Sequence, residues 1–324
     1  RQRYQAAAGF YEQLLAAHQT DVESYQALAH CYHQLNQYQA EIAILQAGIA
    51  QHPTVEALQV RLVQALQQVN QTTAAIAQAE RSAGQFPTDV LFQWQQHLSL
   101  PVLYQSPEEI THYRQRFTDG LHTVVQQTQL DTPVARQQAI AALSQHTNFF
   151  LAYQNHNDRS LQQQFGQLAH QIMATNYPEW GKPLTFPDGK IRIGYVSGCL
   201  RDHTVGKLMV GWFQHHDRSQ FEIYSYHLFD IDDALSQEFR QHSDAFYQIP
   251  ADLEAVCRQI RTDQPQILVF LEIGMQPIMT QLAALRLAPV QCTTWAHPVT
   301  SGLPTIDYFL SSDLMEPENA QEHY

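Results

Sequence analysis

From Lys190 onward the chain alternates short β-rich runs with helical stretches, and most of the runs are apolar almost throughout. Residues 191–197, 221–228, 246–249, 267–272, 290–295 and 308–311 read as strands, and 206–216, 233–242, 252–262 and 277–287 as helices. Strands of this kind are buried on both faces, which requires a parallel sheet with helices packed on each side. Right-handed crossovers then gather the loops that follow the strands on one edge of a doubly wound sheet. Those loops are 198–205, 230–233, 274–276 and 296–305, and ligands of open α/β sheets bind at that edge.

Residues 1–178 obey another rule. They are rich in Gln and Ala, and apolar residues recur at helical spacing. Tyr25, Leu28, Tyr32 and Leu35 form one stripe; Tyr38, Ile42, Leu45 and Ile49 the next. Leu58, Leu62, Leu66 and Val69, then Ile76, Ala79, Ala83 and Phe86, continue the series. Pro53 and Pro87 stand 34 residues apart, each after the second helix of a pair. On that period Tyr25 aligns with Gln59, Leu28 with Leu62, Tyr32 with Leu66 and Asn36 with Asn70. A 34-residue period closed by proline resembles tetratricopeptide repeats, against the alternative of an ordinary helical bundle. Ala29 and Ala75 supply small residues for tight helix contacts, and Glu41 does not fit. The expected organisation is repeats over 1–98, an irregular helical extension over 99–178, a Pro/Gly-rich linker over 179–189, and the α/β unit over 190–324.

Composition narrows the function. The net charge of −13 argues against nucleic acid or an anionic membrane as partner. Four dispersed cysteines read as small core residues of a reducing compartment, and no apolar run is long enough for a membrane span, so the expected location is cytoplasmic. The 17 histidines show no metal-site spacing, so no metal is expected, and without a Gly-x-Gly-x-x-Gly fingerprint or a Walker loop no cofactor is expected either.

Candidate chemistry sits on the loop edge. His203 lies just before a helix N-terminus, where the dipole favours the neutral imidazole, so it suits a base or a structural hydrogen bond. Lys207 follows on the same helix. Glu272 ends a buried strand, placed equally to accept a substrate hydroxyl or to act as a cap or ion-pair partner. His297, Pro298, Thr300, Ser301 and Gly302 form a polar loop after the fifth strand, either lining the ligand crevice or held as a tight turn.

The stretch from Lys190 to Ser197, with His203, Leu208 and Met209 after it, resembles the opening of the catalytic region of O-linked N-acetylglucosamine transferases and their SPINDLY-type relatives. Ala288 to Gln291, Trp295, Pro298, Thr300 to Gly302, Asp307 and Tyr308 resemble that family's second hallmark. The His297-Pro298 form is similar to bacterial, cyanobacterial-like members. The resemblance implies an α plus α/β chain: a tetratricopeptide-like solenoid and one Rossmann-like lobe of a GT-B glycosyltransferase. It also implies inverting, metal-independent transfer of N-acetylglucosamine from a UDP-sugar to Ser or Thr of proteins lying along the repeats. In that reading His203 is a base or acceptor-side group. The 297–302 loop lines the cleft, and the nucleotide sugar is held by a second lobe absent from these residues, so that the 324-residue chain alone is expected to be inactive. Thr204 stands where many members have proline. Ala296 stands where relatives have glycine, and would be strained if that position needs positive φ. These departures motivate a non-catalytic scaffold as the alternative; the same fold with fucose or glucose is another.

Overall fold

The computed structural model of the chain describes residues 2–17, 21–181, 188–249 and 252–324, in two units, Arg1–Gln127 and Thr128–Tyr324. The first unit is built from α1 (Gln2–Ala16), α2 (Val22–Gln34), α3 (Tyr38–Gln51), α4 (Glu56–Gln68), α5 (Thr72–Gln85), α6 (Val90–Leu98) and α7 (Pro107–Gln127), each packed on the next.

The sequence period has a physical counterpart at two of the aligned pairs. Asn36 and Asn70 both take left-handed backbone, at φ 61° and 59°. They follow α2 and α4, and in each turn the next amide reaches back: Gln37 N–H to the Tyr32 carbonyl (2.8 Å) and Gln71 N–H to that of Leu66 (2.9 Å). Asparagine tolerates this C-terminal cap better than other side-chain-bearing residues. Tyr25 packs on Gly48. One period later Gln59 and Ser82 meet instead through a 2.5 Å hydrogen bond. Glu41, the residue that does not fit the small-residue pattern, is fully buried and accepts from Arg61 Nε at 2.8 Å, with His33 Nδ1 at 3.0 Å. Its carboxylate therefore ties α3 to α2 and α4.

The second unit opens with α8 (Pro133–Leu143), a 3₁₀ turn (Phe149–Gln154), α9 (Arg159–Asn176) and a short 3₁₀ turn (Pro178–Gly181). The helical stretch 99–178 is thus divided, with α7 in the first unit and α8 and α9 in the second. The expected linker at 179–189 falls largely on 182–187, outside the described residues.

The sheet follows: β1 (Ile191–Ser197), α10 (Thr204–Gln214), β2 (Phe221–His227), α11 (Ala234–Gln241), β3 (Ala245–Gln248), α12 (Leu253–Asp263), β4 (Ile267–Phe270), α13 (Pro277–Ala283), β5 (Val290–Thr294) and β6 (Tyr308–Leu310). All neighbours are parallel, in the order β3-β2-β1-β4-β5-β6. This is the doubly wound order, and the chain reverses direction across the sheet between β1 and β4. Tyr195, Val269, Leu271 and Cys292 pack with Met209, Phe213 and Phe239 in the core on one side. All four cysteines are buried and free.

Helix α13 stops at Ala283, short of the 287 that its apolar pattern suggests, because the buried Gln291 side chain takes over the backbone beyond it. The Gln291 amide accepts from Leu287 N–H (2.8 Å) and donates to the carbonyls of Leu285 (2.9 Å) and Thr305 (3.0 Å).

The two asparagine turns differ in their load. Asn70 Oδ1 also accepts from the Val102 and Leu103 amides at 2.7 and 3.1 Å. Asn70→Ala is therefore expected to lower stability by about 2–3 kcal/mol and Asn36→Ala by only about 1 kcal/mol. Urea unfolding of the two variants checks this; equal losses would contradict it.

Candidate active site

Where β1 and β4 adjoin, their crossovers leave in opposite directions, which makes this the switch point at which open α/β sheets bind ligands. Glu272, just past β4, spans that point. Its carboxylate is fully buried and accepts the Ser197 hydroxyl at 2.8 Å and the Gly198 amide at 2.7 Å. Ser197 Oγ accepts in turn from Cys199 N–H at 2.8 Å. Burial pushes the Glu272 pKa up to about 7, outweighing the downward pull of these hydrogen bonds and of Arg201. The side chain joins the loop after β1 to the loop after β4 and presents no surface of its own.

Gly198 is needed there for space. A Cβ on it would lie 2.4 Å from the Phe229 ring and 3.0 Å from Gln276 Oε1. Gln276 Oε1 and Arg201 Nε, both near this point, are buried without a hydrogen-bond partner among the described residues. His203 is the N-cap of α10, and its Nδ1 accepts from Val205 N–H at 3.2 Å. Burial first, then Arg201 and Lys207, holds its pKa below the ordinary histidine value. Lys207 is exposed and pairs with Asp202 at 2.5 Å. Thr204 is the first residue of α10, a position where proline and threonine are both accepted.

The loop after β5 is built against α9 and the turn before it. His297 is only 4% exposed and stacks on Phe149, with ring centroids 5.2 Å apart and an interplanar angle of 21°. Gly274, at φ +96°, lies against the same ring; a Cβ there would sit 2.9 Å from Nδ1. Burial pushes the His297 pKa down to about 4, against the pull of the Phe149 and Ile273 carbonyls. His297 packs here as a neutral ring, and its Nε2, like Gln276 Oε1 and Arg201 Nε, is buried without a hydrogen-bond partner among the described residues. Pro298 is exposed. The Thr300 and Ser301 hydroxyls accept from Gly302 N–H (3.3 Å) and Leu303 N–H (3.4 Å). Gly302, at φ +63°, touches the α9 backbone, and a Cβ on Gly166 would lie 2.4 Å from the Gly302 carbonyl oxygen. Thr300 and Ser301 line both a cavity of about 20 Å³ beside His297 and a groove of about 600 Å³ that runs past Arg159, Asp307 and Tyr308.

The site residues expected from sequence thus fall into two groups. Glu272, His203 and Lys207 belong to the β1–β4 edge, and His297 to Gly302 belong to the β5 loop. The short β4 loop joins them, since Glu272 holds Gly198 and Gly274 holds His297. Sequence reasoning did not single out Arg201, Gln276, Phe149 or Gly166, although Arg201 and Gln276 lie on the expected edge loops 198–205 and 274–276, and Gly166 carried a signal as a glycine inside a helix. Ala296 is not left-handed: among the described residues the positive-φ residues other than glycine are Asn36, Asn70, Asn155 and Gln264. The strain expected if that position required positive φ is absent. Among the described residues no three His, Cys, Asp or Glu side chains gather where they could hold a metal ion, and no helix is long and apolar enough to cross a membrane.

Residues 111–324 match glycosyl transferase family 41. The chain is 29% identical over 153 residues to "Probable UDP-N-acetylglucosamine–peptide N-acetylglucosaminyltransferase SPINDLY" of Arabidopsis thaliana, covering 45% of this chain and 16% of that protein. It is 30% identical over 133 residues to the UDP-N-acetylglucosamine–peptide N-acetylglucosaminyltransferase of Caenorhabditis elegans, covering 40% and 11%. The fold is similar to that of a solved mutant of the Thermobaculum terrenum O-GlcNAc transferase, with TM-score 0.56 and 22% identity over 94% of this chain and 56% of that one. The match therefore spans less than a fifth of these curated relatives and just over half of the solved structure.

Two outcomes follow from this geometry. Gly166→Ala is expected to destabilise by about 1–3 kcal/mol, because its methyl would overlap backbone and no side chain can give way; thermal unfolding measures it, and an unchanged midpoint would contradict the contact. For Glu272 the folded pKa of about 7 lies above the ordinary 4.5, so the folded state holds the proton longer. Its contribution to stability is greatest below pH 4.5 and declines as pH rises to 7, by up to about 3 kcal/mol. Glu272→Gln should remove that decline from a urea-stability profile; a profile unchanged by the substitution would show that the carboxyl ionises normally.

Proposed function

The chain belongs to glycosyl transferase family 41, and we propose that it carries the repeat region and the acceptor-side lobe of a protein O-glycosyltransferase. The proposed donor is UDP-N-acetylglucosamine and the proposed acceptor a Ser or Thr hydroxyl of a protein, with inversion at the sugar and no catalytic metal. The names of the relatives supply the sugar and the acceptor class. The single observation in the structure that carries the reading is the β1–β4 edge: a doubly wound sheet whose switch point is bridged by a buried carboxylate beside a helix N-terminus.

In this reading Glu272 is a positioning residue. It never reaches the ligand; it fixes Gly198 and the start of the loop that presents His203. Arg201 and Gln276 are added to the binding residues, because each, like His297, carries a buried polar atom without a hydrogen-bond partner among the described residues. Pro298, Thr300, Ser301 and Gly302 form the second wall, and His297 anchors that wall from behind. The helical first unit is the proposed track for the acceptor protein. The backbone at Ala296 and the place of Thr204 at the start of α10 give no structural ground for preferring the scaffold alternative.

The test is sugar transfer by the full-length gene product, with UDP-N-acetylglucosamine and Ser/Thr peptides, read by mass spectrometry. Addition of one N-acetylhexosamine to a hydroxyl is expected. A full-length product that neither transfers the sugar nor binds the nucleotide sugar would overturn the reading, and preference for a GDP-fucose or UDP-glucose donor would correct the sugar.

A further inference from the structure

We infer that His203 meets its ligand as a fixed Nε2–H hydrogen-bond donor and is not the group that accepts a proton in the reaction. The nature of the ligand rests on the transferase reading above; the tautomer does not.

His203 has extended backbone (φ −148°, ψ 154°) and caps α10, an eleven-residue helix. Its Nδ1 takes the Val205 amide hydrogen at 3.2 Å. A backbone N–H always carries its hydrogen, so the Nδ1 lone pair is committed. A neutral imidazole has one lone pair and one N–H, and the hydrogen must then lie on Nε2. Among the described residues nothing bonds to Nε2, and it is not one of the buried polar atoms left without a partner, so this N–H faces outward.

The charged surroundings keep the ring neutral. Arg201 and Lys207 both oppose a proton on it, as does the positive end of α10. The carboxylates of the same edge are engaged elsewhere. Asp202 pairs with Lys207, and Asp233 accepts from the amides of Asp202 and Ser236. To serve as a base at Nε2, the ring would have to carry its hydrogen on Nδ1. That would set it against the hydrogen of Val205 and abolish the cap. The partner of Nε2–H is accordingly an oxygen lone pair, of the kind a phosphate oxygen or a sugar hydroxyl or carbonyl supplies. The proton of an acceptor hydroxyl must leave to some other group.

The tautomer is tested first, without any ligand. The 324-residue chain, with ¹⁵N-labelled histidine, is observed by long-range ¹H–¹⁵N correlation at neutral pH, and His203 is assigned by its loss in His203→Asn. The Nε2–H pattern is expected; an Nδ1–H pattern, or averaging between the two, overturns the inference whatever the enzyme's activity. The role is tested in the full-length product. His203→Gln keeps an N–H near the Nε2 position but cannot act as a base, while His203→Asn keeps only the cap. A Gln variant within about tenfold of the parent kcat, beside an Asn variant down about 10²-fold, is expected; equal losses in both, with loss of an acidic limb in kcat/KM, would establish a base instead. Movement of the Nε2–H resonance on adding UDP alone identifies a phosphate oxygen as partner. Movement only with UDP-N-acetylglucosamine identifies a sugar oxygen, and no movement with either contradicts the donor role.

Discussion

A single buried carboxylate holds the two halves of this sheet's working edge together. Glu272 receives the Ser197 hydroxyl from β1 and the Gly198 amide from the loop beyond it, in a place where water does not compete. Burying a carboxylate is costly unless its oxygens are satisfied, and here the satisfying groups are the ones whose positions matter. The end of β1 leads through Gly198 and Cys199 to the cap of α10. The end of β4 leads through Gly274 to the underside of the β5 loop. Releasing the carboxylate would free both.

The second wall depends on helices, not on the sheet. Phe149 under His297 and Gly166 under Gly302 set the shape of the β5 loop by stacking and by backbone-to-backbone contact. The glycines at these contacts have little choice: Gly302 and Gly274 both carry positive φ, and at each a side chain would strike a neighbour. A helical extension that looks irregular in sequence thereby sets the shape of the β5 loop.

Much of the fold was legible because its signals are local. Continuous apolar runs marked the strands, and the 34-residue period set Asn36 against Asn70, while the left-handed backbone they share came from the structure. The period also pointed to Glu41 as an exception, though not to Arg61 and His33, which come from neighbouring helices and make the exception tolerable. The early end of α13 was hidden for a similar reason: the residue that stops it, Gln291, comes later in the chain and acts through its side chain. The site was legible as a set of loops but not as a set of roles. His297 has the residue type of a ligand-binding group, and its burial against Phe149 and Gly274 was not visible in the sequence. Glu272 stood at the right strand end, yet what its carboxylate touches is set by β1, far from it in sequence.

The most direct measurement is a structure of the full-length gene product with UDP-N-acetylglucosamine and an acceptor peptide. The anomeric carbon should lie over the edge formed by residues 198–203 and 272–276, with His203 Nε2 within hydrogen-bond reach of a ligand oxygen and Glu272 still closed on Ser197 and Gly198. A nucleotide sugar seated instead in the groove past Asp307 and Tyr308, leaving the β1–β4 edge untouched, would contradict the assignment of that edge as the reacting site.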